Sequence, residues 1–106
     1  MKTQVVLPLL ALLGCGKGYG KLELVCAPIE PTCSRHCSLQ VDDLTTSYVL
    51  SGGDAVSFPV REGHHTVSGF TRTICMVTPP FMTVTTGAVA DDFFVDGGAT
   101  VTRTYY

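Results

Sequence analysis

Beyond Gly20 this chain never repeats apolar residues at helical spacing. They recur at every second position instead, in short runs cut by Gly and Pro. A period of two puts alternate side chains on opposite faces of a strand, so the pattern restricts the chain to β-structure. Leu22, Leu24 and Cys26 alternate with Glu23. Leu39 and Val41 alternate with Ser38 and Gln40, and Asp42-Asp43 ends that run. Residues 48–50 form the next strand, stopped by Ser51-Gly52-Gly53-Asp54. Val56, Phe58 and Val60 then face one way and Ser57, Pro59 and Arg61 the other. Arg61-Glu62-Gly63-His64 is expected to turn this run into a hairpin whose return strand carries His65, Val67 and Gly69, with Gly63 free to take positive φ. Pro59 offers no N–H to a ladder, which puts its strand at an edge or a bulge. The apolar phase changes from Val67 to Phe70 and Ile74, which points to a bulge near Gly69.

After Pro79-Pro80, residues 81–86 read as a strand ending at Gly87. Residues 93–95 and 99–106 read as a last hairpin around Asp96-Gly97-Gly98, with Phe93 and Phe94 split between core and surface. Thr100, Thr102, Thr104 and Tyr106 share one face of the final strand, and Ala99, Val101, Arg103 and Tyr105 the other. The expected fold is all-β, a small antiparallel β-sandwich of six or seven short strands.

The first residues carry an address. Lys2 precedes a short apolar run from Val5 to Leu13, interrupted only by Pro8, and small residues follow. That is the order of a secretory signal, and the run is far shorter than the roughly 20 residues a membrane-spanning helix needs. Leu12-Leu13-Gly14-Cys15 resembles the lipobox of bacterial lipoproteins. The resemblance implies cleavage before Cys15, lipidation of Cys15 and attachment to a membrane. With Gly16 after the cysteine instead of Asp, it further implies sorting to the outer membrane or cell surface. On this reading residues 1–14 are a signal peptide, 15–20 a flexible spacer and 21–106 the folded domain. An ordinary signal peptide cut at Gly14, Gly18 or Gly20 is the alternative, and it leads to free secretion.

Losing Lys2 with the signal leaves nine acidic and six basic side chains, a net charge of −3. Nucleic-acid binding needs a basic stripe, and none is present. No Lys/Arg run offers itself to anionic lipid heads. The chain has no Asn, so N-linked glycosylation is excluded, and no Trp.

Setting Cys15 aside leaves Cys26, Cys33, Cys37 and Cys75. An even number in an exported small domain implies two disulfides. Three pairings are open, and Cys33–Cys37 with Cys26–Cys75 is the working expectation. The competing use of this region is a metal site formed by Cys26, Cys33, His36 and Cys37. Its spacing is not that of a zinc knuckle, and neighbours on an extended backbone point apart.

Other polar groups suggest no chemistry. His64-His65 reads as a pair of exposed turn histidines, with a surface metal or proton-sensing site at His65 as the sharper alternative. Asp42-Asp43 and Asp91-Asp92 lack the convergence of catalytic carboxylates and the alternation of a calcium loop, and read as solvated loop carboxylates or as edge-strand protection against aggregation. No Gly-x-Ser-x-Gly elbow is present. Tyr105-Tyr106 packs at a sheet edge or contacts a partner.

A second resemblance lies in Ser38-Leu39-Gln40-Val41-Asp42, in the run from Val56-Ser57-Phe58 through Gly63 to Thr66-Val67, and in Gly98-Ala99-Thr100-Val101-Thr102. These stretches are similar to small envelope modules of the PEGA or transthyretin-like sandwich type, which implies a fold more than an activity. Together the readings lead to a non-catalytic, lipid-anchored cell-envelope protein without cofactor or metal. It would act as a structural or protein-interaction module on an envelope partner. A secreted effector, toxin or inhibitor is the first alternative, and a metal-binding protein or metal-dependent enzyme using the Cys26–Cys37 region the second.

Overall fold

The computed structural model describes residues 18–42, 46–78 and 81–106. They form seven strands and no helix: β1 (Tyr19–Cys26), β2 (Cys33–Val41), β3 (Ser47–Ser51), β4 (Ala55–Arg61), β5 (Gly63–Thr78), β6 (Phe81–Val95) and β7 (Thr100–Tyr105). The strands make two sheets, β4-β1-β7 and β3-β2-β5-β6. The all-β fold is therefore as expected. All pairs are antiparallel except β1–β7, which is parallel. β1 opens at Tyr19, so Tyr19 and Gly20 are strand and not spacer.

The period-two pattern makes the core directly. Leu22, Leu24 and Cys26 of β1 face Cys37, Leu39 and Val41 of β2, joined by Val60, Val67, Val95 and Tyr105. Leu22, Leu24, Leu39, Val67 and Val95 are wholly buried, each worth about 1.5–3 kcal/mol against exposure. Tyr48 stacks on Phe58 with ring centroids 5.0 Å apart, closing the side of the sandwich between β3 and β4.

Both expected hairpins are corrected. β4 pairs with β1, while β5 pairs with β2 and β6. The link through Glu62 therefore crosses between sheets. Its geometry is held by Gly63 at φ 130° and by the Glu62 N–H, which donates to the Gly18 carbonyl at 2.9 Å. Residues 96–99 likewise cross, sending β7 alongside β1 instead of back along β6. The physical reason is common to both. The inner faces of a sandwich look at each other, so a strand that changes sheet shows the same alternation as one that folds back. Pro59 does lie on an edge strand, opposite Lys21.

The long hairpin of the molecule is β5–β6, and β6 runs unbroken through Gly87. The ladders pass Gly69 without a slip, and the irregularity falls between Met76 and Thr78. The phase change after Gly69 has another cause. Val67 points into the core, whereas Phe70, Ile74 and Met76 sit on the outer face of the sheet. Gly69 takes φ 140°, and a Cβ there would collide with the Ser38 carbonyl of β2. Gly69→Ala should therefore lower stability by about 2 kcal/mol or more, measured by urea unfolding.

The disulfide pairing is also corrected. The bridges are Cys26–Cys37 and Cys33–Cys75. Cys33 and Cys37 lie four residues apart on one extended strand, roughly 13 Å at strand rise. A bridge tolerates only about 7 Å between Cα atoms. Cys26–Cys37 joins the two sheets, with Cα atoms 5.8 Å apart, while Cys33–Cys75 joins directly opposed residues of β2 and β5. The loops closed span 11 and 42 residues in sequence separation. Chain entropy then assigns about 3 and about 4 kcal/mol to them. Cys33→Ala/Cys75→Ala should accordingly destabilise by about 4 kcal/mol in guanidinium melts.

Candidate functional site

Among the described residues, those singled out from sequence fall in three places. Cys15 lies outside the described residues, as does Asp43. Cys26, Cys33, Cys37 and Cys75 are the bridges just described. His36 stands in register with Arg72 on β5, at an outward-facing position of β2. Cys26, Cys33, His36 and Cys37 are thus not brought together as one ligand set. Among the described residues no group of three or more His, Cys, Asp or Glu side chains converges.

His65 departs most from its expected place. It is 8% exposed, not a solvated turn residue. Its Nδ1 faces Asp42 Oδ2 at 2.5 Å and its Nε2 faces the Arg61 carbonyl at 2.5 Å. Both partners are acceptors, so only the imidazolium, with two N–H donors, satisfies both. Burial pulls the His65 pKa down, but the Arg61 carbonyl and the Asp42 carboxylate outweigh it, and the net direction is up. Burial pushes the Asp42 pKa up, while the Thr66 N–H and His65 more than reverse that, leaving it lowered. Asp42 occupies φ 53° and accepts from the Thr66 N–H at 2.8 Å, so the pair clamps the β2 terminus to β5. The cluster floors an open cleft walled by Tyr48, Phe58 and Pro59. The His65 contribution is complete below its ordinary value of 6.5 and is lost as pH rises through the raised folded value. The Asp42 contribution is present above 3.8 and fades as pH falls through the lowered folded value. Thermal stability should therefore decline from mildly acidic towards alkaline pH, and His65→Gln should flatten that slope.

Asp91 organises the opposite side. Arg103 Nε and Nη2 donate to its two oxygens at 2.8 and 2.6 Å, and the Tyr105 hydroxyl donates to Oδ2 at 2.9 Å. The Arg103 hydrogen bonds lead in holding the Asp91 pKa down, against burial. Burial, then Asp91, raises that of Tyr105. The Arg103 guanidinium also lies over the Phe93 ring, 5.2 Å from its centroid. Arg103 and Tyr105 are on β7 and Asp91 on β6, so the bonds stitch the two sheets beside the β6–β7 cleft. Tyr105 is buried and Tyr106 exposed, and Phe93 packs on the core while Phe94 is exposed. Asp91→Ala leaves the Tyr105 hydroxyl unpaired and should destabilise by about 1–2 kcal/mol, read from urea melts.

A fourth place was not found from sequence. β1 and β7 end, and β4 begins, level with Cys26 and Tyr105, where the Ala27 N–H donates to the Tyr105 carbonyl. Beyond that level β2, β5 and β6 continue as one sheet. Arg35 holds the 27–32 link against it, donating to Thr73 Oγ1 and to the Ala27 and Pro28 carbonyls at 3.0–3.3 Å. Val77, Phe81, Met82 and Val84 are exposed there at 64, 69, 59 and 54%, with Met76 beside them. A legible signal was available: no charged residue occurs from Thr73 to Ala90. Contiguous exposed apolar residues of this kind mark contact surfaces.

No family model, no curated protein and no solved structure matches this chain.

Proposed function

We propose that this protein is a non-catalytic, lipid-anchored component of a cell envelope that works as a structural or protein-interaction module. The observation that carries the reading is the apolar end of the β5–β6 hairpin, an uncharged surface built out from a disulfide-stapled sandwich. The polar clusters serve the fold instead: Asp42, His65, Asp91, Arg103 and Tyr105 are satisfied by one another. Two bridges suit an oxidising compartment, which agrees with the export pattern of the first fifteen residues. Acyl chains on Cys15 would hold the domain at a membrane surface, each buried methylene contributing about 0.8 kcal/mol. Confinement then raises local concentration and lets a modest contact suffice.

The test is the intact mass of the protein isolated from its native host, before and after reduction. The expected result is a chain starting at Cys15 with added acyl mass, gaining two hydrogens per bridge on reduction. An unmodified chain starting later would replace this reading with a secreted effector, toxin or inhibitor.

A further inference from the structure

Among the described residues the two sheets have four edge strands, and three are guarded. β3 is five residues long. β4 carries Pro59 and Arg61. β7 is six residues long and carries Arg103. β6 is different: it is fifteen residues long, has no Pro, and carries no charge from Phe81 to Ala90. Unguarded edges of this kind are templates for further strand pairing.

The ladder fixes which backbone groups are free. The Met76 N–H donates to the Thr32 carbonyl, and the Thr66 carbonyl accepts from the Asp42 N–H. Even-numbered residues of β5 thus aim their backbone polar groups at β2, and odd-numbered ones aim theirs at β6. Across the antiparallel register Thr71↔Gly87, Thr73↔Thr85 and Cys75↔Thr83 are then the hydrogen-bonded pairs. On β6 the N–H and C=O groups of Met82, Val84, Thr86, Ala88 and Ala90 point away from β5. None of these groups has a backbone partner among the described residues.

We propose that this edge pairs with a second copy of the same chain, antiparallel about a two-fold axis at Thr86, joining two four-stranded sheets into one. The proposal deepens the interaction reading above and does not depend on the lipid. Four observations select the partner and the register. Centring on Thr86 sets Met82 against the partner's Ala90, Val84 against the partner's Ala88, and Thr86 against itself, so large side chains meet small ones on the outer face. All five of these residues then lie in hydrogen-bonded pairs, giving about ten interchain backbone bonds. Asp91 and Asp92 fall beyond the uncharged overlap at opposite ends, whereas parallel pairing would set each against its own copy. The exposed row of Phe70, Met76, Met82 and Val84 becomes continuous across the axis, as an isologous interface requires.

The test measures molar mass by sedimentation equilibrium on the processed, disulfide-bonded chain from micromolar to millimolar concentration. Wild type should move from monomer to dimer. Thr86→Pro removes an outward N–H without touching the β5 ladder and should stay monomeric with an unchanged circular dichroism spectrum. Thr86→Lys and Thr86→Glu each put like charges face to face on the axis. Each alone should weaken self-association at least tenfold, and an equimolar mixture should restore the dimer. A wild type that remains monomeric throughout overturns the proposal. So does a dimer indifferent to all three substitutions. Sedimentation of monomer with phosphatidylethanolamine–phosphatidylglycerol vesicles, abolished by Met82→Lys, would assign the surface to lipid and likewise overturn it. None of these outcomes alters the mass of the protein from its host, so the anchoring reading stands or falls separately.

Discussion

The bond between Cys26 and Cys37 is the constraint on which the rest of the molecule depends. It joins the central strand of one sheet to a central strand of the other, at the level where the smaller sheet stops. A domain this small buries only a modest share of its surface, and many such domains need a covalent staple. Here both bonded cysteines are wholly buried beside Leu24 and Leu39, so the staple ties the two inner faces together at that end of the core. Everything beyond it, including the end of the β5–β6 hairpin, extends from a fixed base.

Cys33–Cys75 extends that base outward. It locks the start of β2 against β5, and Arg35 ties the 27–32 link to the same region. The hairpin end can then expose Val77, Phe81 and Met82 without unravelling the ladder behind them. Two polar clusters elsewhere close on themselves. Asp42 and His65 secure one side of the sandwich, and Asp91, Arg103 and Tyr105 the other. Among the described residues, the apolar hairpin end with the free edge of β6 beside it is a surface that these contacts leave without internal partners.

Much of the fold was legible in single strands. Leu22-Leu24-Cys26, Leu39-Val41 and Val56-Phe58-Val60 were each assigned the correct inner face, because burial of alternate residues is a local property. Pro59 marked its edge because a missing N–H excludes it from a central strand. The partners were not legible. Glu62-Gly63 and Asp96-Gly97-Gly98 have the composition of hairpin turns, yet both carry the chain across to the other sheet. The role of His65 was hidden for the same reason. Its neighbour in space is Asp42, separated by 23 residues in sequence, and only the β2–β5 register brings them together.

The sequence by itself determined the secondary structure class, the faces of most strands and the presence of two bridges. These follow from period-two alternation, from the punctuation by Gly and Pro, and from the parity of the cysteines. Tertiary structure alone decided which strands pair, which cysteines bond, and that Phe70, Ile74 and Met76 turn outward where Val67 turns in. Those outcomes depend on contacts between residues far apart in the chain, whose energies no local pattern encodes. The exposed edge of β6 belongs to the second group, since a strand becomes an edge only when every other strand has taken its place.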